Sequence, residues 1–307
     1  MAVKTDLSQK AIIMAAFGTS HPKAVESILN VKTKVEQTFP GIPVRLAFTS
    51  RAIRGIWHRR AADDNYRKKY PELPADLYEI KGPLATMCDF NDLGFQAMAV
   101  QSLHIFAGEE YTDLKSVSEA LKAIRTLKAK YKPFKVLALG RPALGEPSEI
   151  HDYREDLAAA AEALTGDVGM ARQNDAALVY VGHGNPSFST GVYAELASIL
   201  QRKHPDRPIF IGVIEGFPSR ESVLSGLKQS GAEKVVLVPL MLTAGDHVVD
   251  DLFGDHDDSW RSFLSKAGIQ VAAVFRGLGE VTAWAEIYVR HLKEAMIENG
   301  LILAREG

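Results

Sequence analysis

A single cysteine, Cys88, stands in 307 residues. No disulfide can form within the chain, and a thiolate zinc site is excluded. Long apolar runs are missing as well. The longest near the N-terminus, Ala11–Phe17, falls far short of the ~20 residues that span a bilayer, so no membrane partner is expected. It also lacks the flanks and cleavage site of a signal peptide, which points to a cytoplasmic protein, or a periplasmic one if a leader has been removed. Neither sign of charge dominates: 36 Lys and Arg face 38 Asp and Glu, a net charge of −2. That balance argues against a nucleic-acid partner held by bulk electrostatics. Neither G-x-G-x-x-G nor G-x-x-x-x-G-K-[ST] follows a strand, so no nucleotide is expected, and no G-x-S-x-G elbow offers a nucleophilic serine.

What is present is ordinary for a globular chain: 46% hydrophobic and 24% charged residues, with a mean hydropathy of −0.06. Short β-branched runs alternate with amphipathic stretches of helical length. The pattern predicts strands at Ala11–Phe17, Val44–Thr49, Ala97–Ile105, Lys135–Leu139, Ala177–Val181, Pro208–Ile214, Lys234–Leu242 and Gln270–Phe275. Helices are predicted at Lys23–Phe39, Leu114–Tyr131, Asp152–Leu164, Val192–His204, Ser219–Ser230 and Thr282–Asn299, with a turn-rich stretch at Thr165–Gly169. This rhythm means βαβ units, parallel sheets and an α/β fold.

The two halves resemble one another. Phe17-Gly18-Thr19-Ser20 after the first strand matches His183-Gly184-Asn185-Pro186 later on, and Ala107-Gly108-Glu109-Glu110 matches Ala244-Gly245-Asp246-His247. We therefore expect two similar Rossmann-like lobes, 1–150 and 151–307, with a C-terminal helix near 282–304 packing back on the first and a cleft between them for the ligand. The first half carries an extra basic and aromatic stretch, about Gly55 to Gly82.

The strongest chemical signal is a spacing. His183, Glu215 and His247 each follow a predicted strand, thirty-two residues apart in both intervals. That is one βαβ unit apiece, and in a parallel sheet all carboxyl ends share one edge. A lone histidine after a strand is more often a hydrogen-bonded cap than a ligand. Three such groups in register, each near a glycine, favour a site. Two imidazoles and a carboxylate suit a catalytic divalent metal: iron, cobalt, nickel or zinc. The first half aligns Phe17, Thr49 or Ser50, and Glu110 at these places, so the metal belongs to the second lobe. Asp246, Asp250 and Asp251 are candidates to orient the His247 ring, although acidic residues at a helix start are favoured by its dipole alone. The run Asp255-His256-Asp257-Asp258 reads as solvated charge. Arg51, Arg54, Arg59 and Arg60 follow the second strand, where forked hydrogen bonds would suit an acidic ligand and a solvated helix face is the plainer alternative. His104 is expected inside a strand and packed.

The stretches Ala16–Ser20, Val100–His104, Gly182–Gly184, Ala244–His247 and Gly254–Trp260 resemble those of the anaerobic cobalt chelatases of cobalamin synthesis. The resemblance implies two chelatase-type lobes and insertion of Co²⁺ into sirohydrochlorin, or its precursor precorrin-2, without ATP. It implies His183, Glu215 and His247 as both metal ligands and catalytic groups. It points to an acidic tetrapyrrole near Phe17, Gly18, Thr19, Ser20, Arg51 and Arg54, and to a homo-oligomer. In some relatives the histidine matching His104 is associated with haem. Two alternatives remain at this stage: insertion of Fe²⁺, as in sirohaem or haem synthesis, with Ni²⁺ or Zn²⁺ also able to occupy such ligands; and a non-catalytic protein that only binds metal or tetrapyrrole.

Overall fold

The computed structural model describes residues 9–188 and 190–303. They form two compact units, one of residues 9–22, Leu29–Pro142 and 288–303, the other of Lys23–Ile28 and Ala143–Ile287. The changeover thus falls at Pro142 instead of residue 150, and each unit includes a strip of chain from the far side of that boundary.

In the first unit, β1 (Lys10–Ala16), β2 (Val44–Phe48), β3 (Ala97–Ser102) and β4 (Val136–Gly140) pair in parallel in the order β2-β1-β3-β4. Six of the seven β1 residues are buried. A strand covered on both faces needs a continuous apolar run instead of alternation, and Ala11–Ala16 supplies it. The connecting helices are α1 (Val25–Thr38), α2 (Arg51–Ala61), α3 (Asp64–Lys69), α4 (Pro83–Asp92) and α5 (Glu109–Ala123). Helices α2 and α3, in the extra stretch, close over Trp57, which is fully buried with Tyr66 and Tyr78 edge-on at 6.4 and 5.8 Å.

The second unit opens with α6 (Tyr153–Ala163) and α7 (Thr165–Gln173). Its strands β5 (Ala177–Gly184), β6 (Ile209–Glu215), β7 (Lys234–Pro239) and β8 (Gln270–Ala273) are again parallel, in the order β6-β5-β7-β8. Helices α8 (Gly191–Lys203), α9 (Arg220–Ser230) and α10 (Trp260–Lys266) complete it, and α11 (Thr282–Glu298) leaves it at Tyr288 to continue in the first unit. Relabelled from its first strand, the second order repeats the first. In each sheet the chain crosses to one side and then returns to the other, so the crevice at the carboxyl edge opens between β1 and β3, and between β5 and β7.

Two local expectations fail for tertiary reasons. Thr165–Gly169 is helical, because Asp167 is buried there and bonded to Tyr180 of β5 at 3.1 Å and to Arg276 at 2.8 Å. Those bonds outweigh the low helix propensity of Gly166 and Gly169. Strand β3 stops at Ser102, which leaves His104 beyond the strand end instead of inside it. Among the described residues no helix is long and apolar enough to cross a membrane.

Candidate metal site

The crevice between β5 and β7 is where two of the candidate ligands meet. His183 is the penultimate residue of β5, and Gly184 after it turns the chain at φ +77°. A side chain at 184 would collide with the Glu215 carbonyl and Val213 on β6, so only glycine allows this approach. His247 lies beyond β7 and leads into a π turn, Val248–Leu252, closed by the Phe253 amide on the Val248 carbonyl at 3.2 Å. π turns of this kind are frequent at functional sites. The two imidazoles stand edge to face, with ring centroids 4.7 Å apart and an interplanar angle of 85°.

Each ring has its Nδ1 occupied. His247 donates from Nδ1 to Asp251 Oδ2 at 2.7 Å, and His183 donates from Nδ1 to the Gly184 carbonyl at 3.2 Å. A proton held at Nδ1 leaves the lone pair at Nε2, which is the tautomer a metal requires. Of the three carboxylates considered for orienting His247, Asp251 makes this bond. Asp246 and Asp250 are exposed, and Asp250 contributes its backbone carbonyl to the turn instead.

Glu215 is placed differently from the spacing argument. It ends β6, exposed, and its register partner is Gly184, not His183. His183 has no register partner on β6, and Gly184 at φ +77° interrupts the extended backbone at that rung. Among the described residues no three His, Cys, Asp or Glu side chains converge to hold a metal ion unaided. The structure thus brings together a histidine pair with a carboxylate close by in the backbone, short of a finished three-ligand cage. Phe217, two residues further on and 62% exposed, escaped the sequence reading; its only signal was an aromatic directly after the Glu-Gly pair.

The acidic run is accounted for by neighbours. Asp255 pairs with Arg261, Asp257 with Lys266 at 2.7 Å and Asp258 with Arg220 at 3.6 Å.

In the first unit, the residues expected to meet a substrate divide. Phe17 is 42% exposed at the end of β1. Gly18 turns at φ +99° with the Phe48 ring against it. Thr19 and Ser20 are buried. Thr19 Oγ1 accepts from the His21 amide at 3.1 Å, while its carbonyl accepts from Trp57 Nε1 at 2.8 Å. The Ser20 carbonyl accepts from Arg60, whose guanidinium also lies over the rings of Trp57 and Tyr66. Arg54 donates to the Phe48 and Thr49 carbonyls, and burial pulls its pKa down. Arg54 and Arg60 thus brace the strand ends, leaving Arg51 and Arg59 as the exposed arginines of the set.

His104 sits beside Ser102, with Nδ1 2.9 Å from its Oγ, while Tyr288 donates to the Leu103 carbonyl at 3.0 Å. Its Nε2 is buried without a hydrogen-bond partner, and burial pulls its pKa down to about 4. An axial haem ligand must present a nitrogen to an open face. A buried Nε2 does not, so the residues as they stand do not fit a haem.

The cobalt chelatase (CbiK) family matches residues 10–297. The chain is 30% identical over 290 residues to the sirohydrochlorin cobaltochelatase CbiKC of Nitratidesulfovibrio vulgaris, covering 94% of this chain and 92% of that one. It is 29% identical over 289 residues to the sirohydrochlorin cobaltochelatase of Salmonella typhimurium, covering 94% and 97%. Among solved structures it resembles the sirohydrochlorin chelatase SirB from Bacillus subtilis subspecies spizizenii in complex with cobalt, with a TM-score of 0.57 at 13% identity over 95% of this chain and 97% of that one. That last likeness speaks for the fold. With the family matched over nearly the whole chain and relatives aligned end to end, the protein belongs to the cobalt chelatase (CbiK) family.

Proposed function

We propose that this chain is a sirohydrochlorin cobaltochelatase, inserting Co²⁺ into sirohydrochlorin without ATP, with His183 and His247 as the residues that hold the incoming metal. The observation that carries the site assignment is the histidine pair itself. Two imidazoles 4.7 Å apart, each with Nδ1 committed to an acceptor, present Nε2 lone pairs suited to a divalent ion and leave most of its coordination positions open. Pyrrole nitrogens would bind at those positions, and the imidazole nitrogens would then leave the metal. Insertion also releases two pyrrole N–H protons, and a carboxylate is a suitable acceptor. Glu215, exposed at the end of β6 and next to the Gly184 turn, is the group we assign to take one of them, and the second passes to water. The exposed ring of Phe217 beside it offers a flat apolar surface to a macrocycle.

Nitrogen and oxygen donors accept Fe²⁺ as well as Co²⁺, and affinity alone does not select between them, so the test compares both. Anaerobic absorbance of the protein with sirohydrochlorin and either metal, against enzyme-free controls, should show catalysed conversion with Co²⁺. His183→Ala and His247→Ala should each lower that rate by more than about 100-fold, the upper range for losing a group that merely supports a ligand. Faster conversion with Fe²⁺ would reassign the metal. A bound spectrum that never progresses to metallated product with either ion would overturn the reading in favour of a carrier.

A further inference from the structure

Gly254–Trp260 is an acidic stretch with one histidine, which is exposed yet bonds back onto the fold. While Asp255, Asp257 and Asp258 each pair with a neighbouring cation, His256 turns back and donates from Nε2 to the Asp250 carbonyl at 2.9 Å. The same carbonyl accepts from the Gly254 amide at 3.0 Å. Asp250 belongs to the π turn that follows His247. A helical turn leaves its last carbonyls without partners inside the turn, and here the His256 ring and the Gly254 amide supply them.

The rest of the segment anchors that connection. A side chain at Gly254 would strike the Asp250 carbonyl and the His256 ring. Ser259 donates from Oγ to the Gly254 carbonyl at 2.7 Å and accepts from the Ser262 amide at 3.1 Å, capping α10. Trp260 is buried in the core with Val248, Leu252 and Phe253, against Gly212 of β6. The turn is thus fixed at its apolar face by the core and at its polar end by His256. Asp251, which holds the His247 ring, lies within it.

We propose that His256 is a positioning residue for the metal site: by holding the Asp250 carbonyl it keeps the π turn in the form that sets Asp251 against His247 Nδ1. This rests on the assignment of His247 as a metal-holding residue. Loss of the His256 bond lets the exposed end of the turn relax, and Asp251 then spends less time on the ring.

The test titrates Co²⁺ alone, by calorimetry, into wild type, His256→Ala, His256→Gln, Asp251→Asn, the His256→Ala/Asp251→Asn double variant and His247→Ala, with thermal melts of each. His256→Ala should weaken Co²⁺ binding about 10-fold, within the range for groups that support a ligand, with a melting temperature close to wild type. His256→Gln, whose amide nitrogen can replace Nε2, should recover most of that loss. The double variant should bind no more weakly than Asp251→Asn alone, because both act on one ring. Wild-type affinity in His256→Ala, no recovery with Gln, or additive losses in the double variant would overturn the proposal while leaving the metal site standing. Unchanged Co²⁺ binding in His247→Ala would remove the metal assignment, and this inference with it.

Discussion

An imidazole has two nitrogens, and what engages one decides what the other can do. At His183 and His247 the engaged atom is Nδ1, which leaves the Nε2 lone pair available to a metal. At His104 the same side chain is used for the opposite end: Nδ1 meets Ser102, and Nε2 is buried. Burial disfavours the charged ring, which is why its pKa drops to about 4. The consequence for stability follows from linkage. Between the unfolded value near 6.5 and about 4, the unfolded chain takes up a proton that the folded chain refuses. Stability is therefore complete above pH ~6.5 and falls as pH drops toward 4, by at most about 3 kcal/mol from this residue. Urea unfolding at pH 7, 6 and 5 should show that loss, and His104→Leu should flatten it. His204, also shifted down, mainly by burial, acts in the same direction, so some slope should remain. Equal slopes in wild type and His104→Leu would mean that His104 is solvated in the folded state.

At the scale of single elements, the strand ends matter most. Gly184 combines a left-handed backbone with a neighbour that leaves no space for a Cβ, whereas Gly231, at the end of α9 with φ +69°, has open space around it. Both Ala substitutions meet the backbone penalty of about 1–2 kcal/mol. Only Gly184→Ala adds a collision with the β6 backbone, so it should lower stability clearly more than Gly231→Ala and also weaken Co²⁺ binding. Equal denaturation midpoints would show that β5 and β6 can part without cost. This contrast also explains what was legible beforehand. All eight strands follow from apolar runs, and the intervals linking His183, Glu215 and His247 follow from βαβ length; both are properties of pattern. The inward turn of Thr19 and Ser20, the choice of Asp251 over Asp246 and Asp250, and the role of His256 depend on which backbone carbonyl is left open, and no pattern of residue types encodes that. Glu215 shows the limit most plainly. Spacing placed it at the end of its strand, but among the described residues no three ligating side chains converge there, and that depends on the turns after the strands and not on their spacing.

For the molecule as a whole, the same four-strand order occurs twice, and the edge-to-face pair of imidazoles, His183 with His247, belongs to the second. The chain does not divide into two contiguous halves to match. Lys23–Ile28, at the start of α1, belongs to the second unit. There Ser27, fully buried, donates to Glu280 Oε1 at 2.9 Å, and Gly277 and Gly279 have no room for side chains against it. Val25 and Ile28 in the same strip are also fully buried. At roughly 1.5–3 kcal/mol for each such side chain before the entropy of ordering is subtracted, losing the strip should destabilise the second unit measurably. A fragment of residues 143–287 contains both histidines but lacks this strip. Expressed alone, it should melt broadly and well below the full chain, bind an apolar dye and hold Co²⁺ poorly. Adding residues 23–28 back as a tethered segment should sharpen the transition and restore binding. A fragment that already melts cooperatively and binds Co²⁺ like the full chain would show that the second unit is complete without the start of α1. The start of α1 would then not be needed to build the metal site.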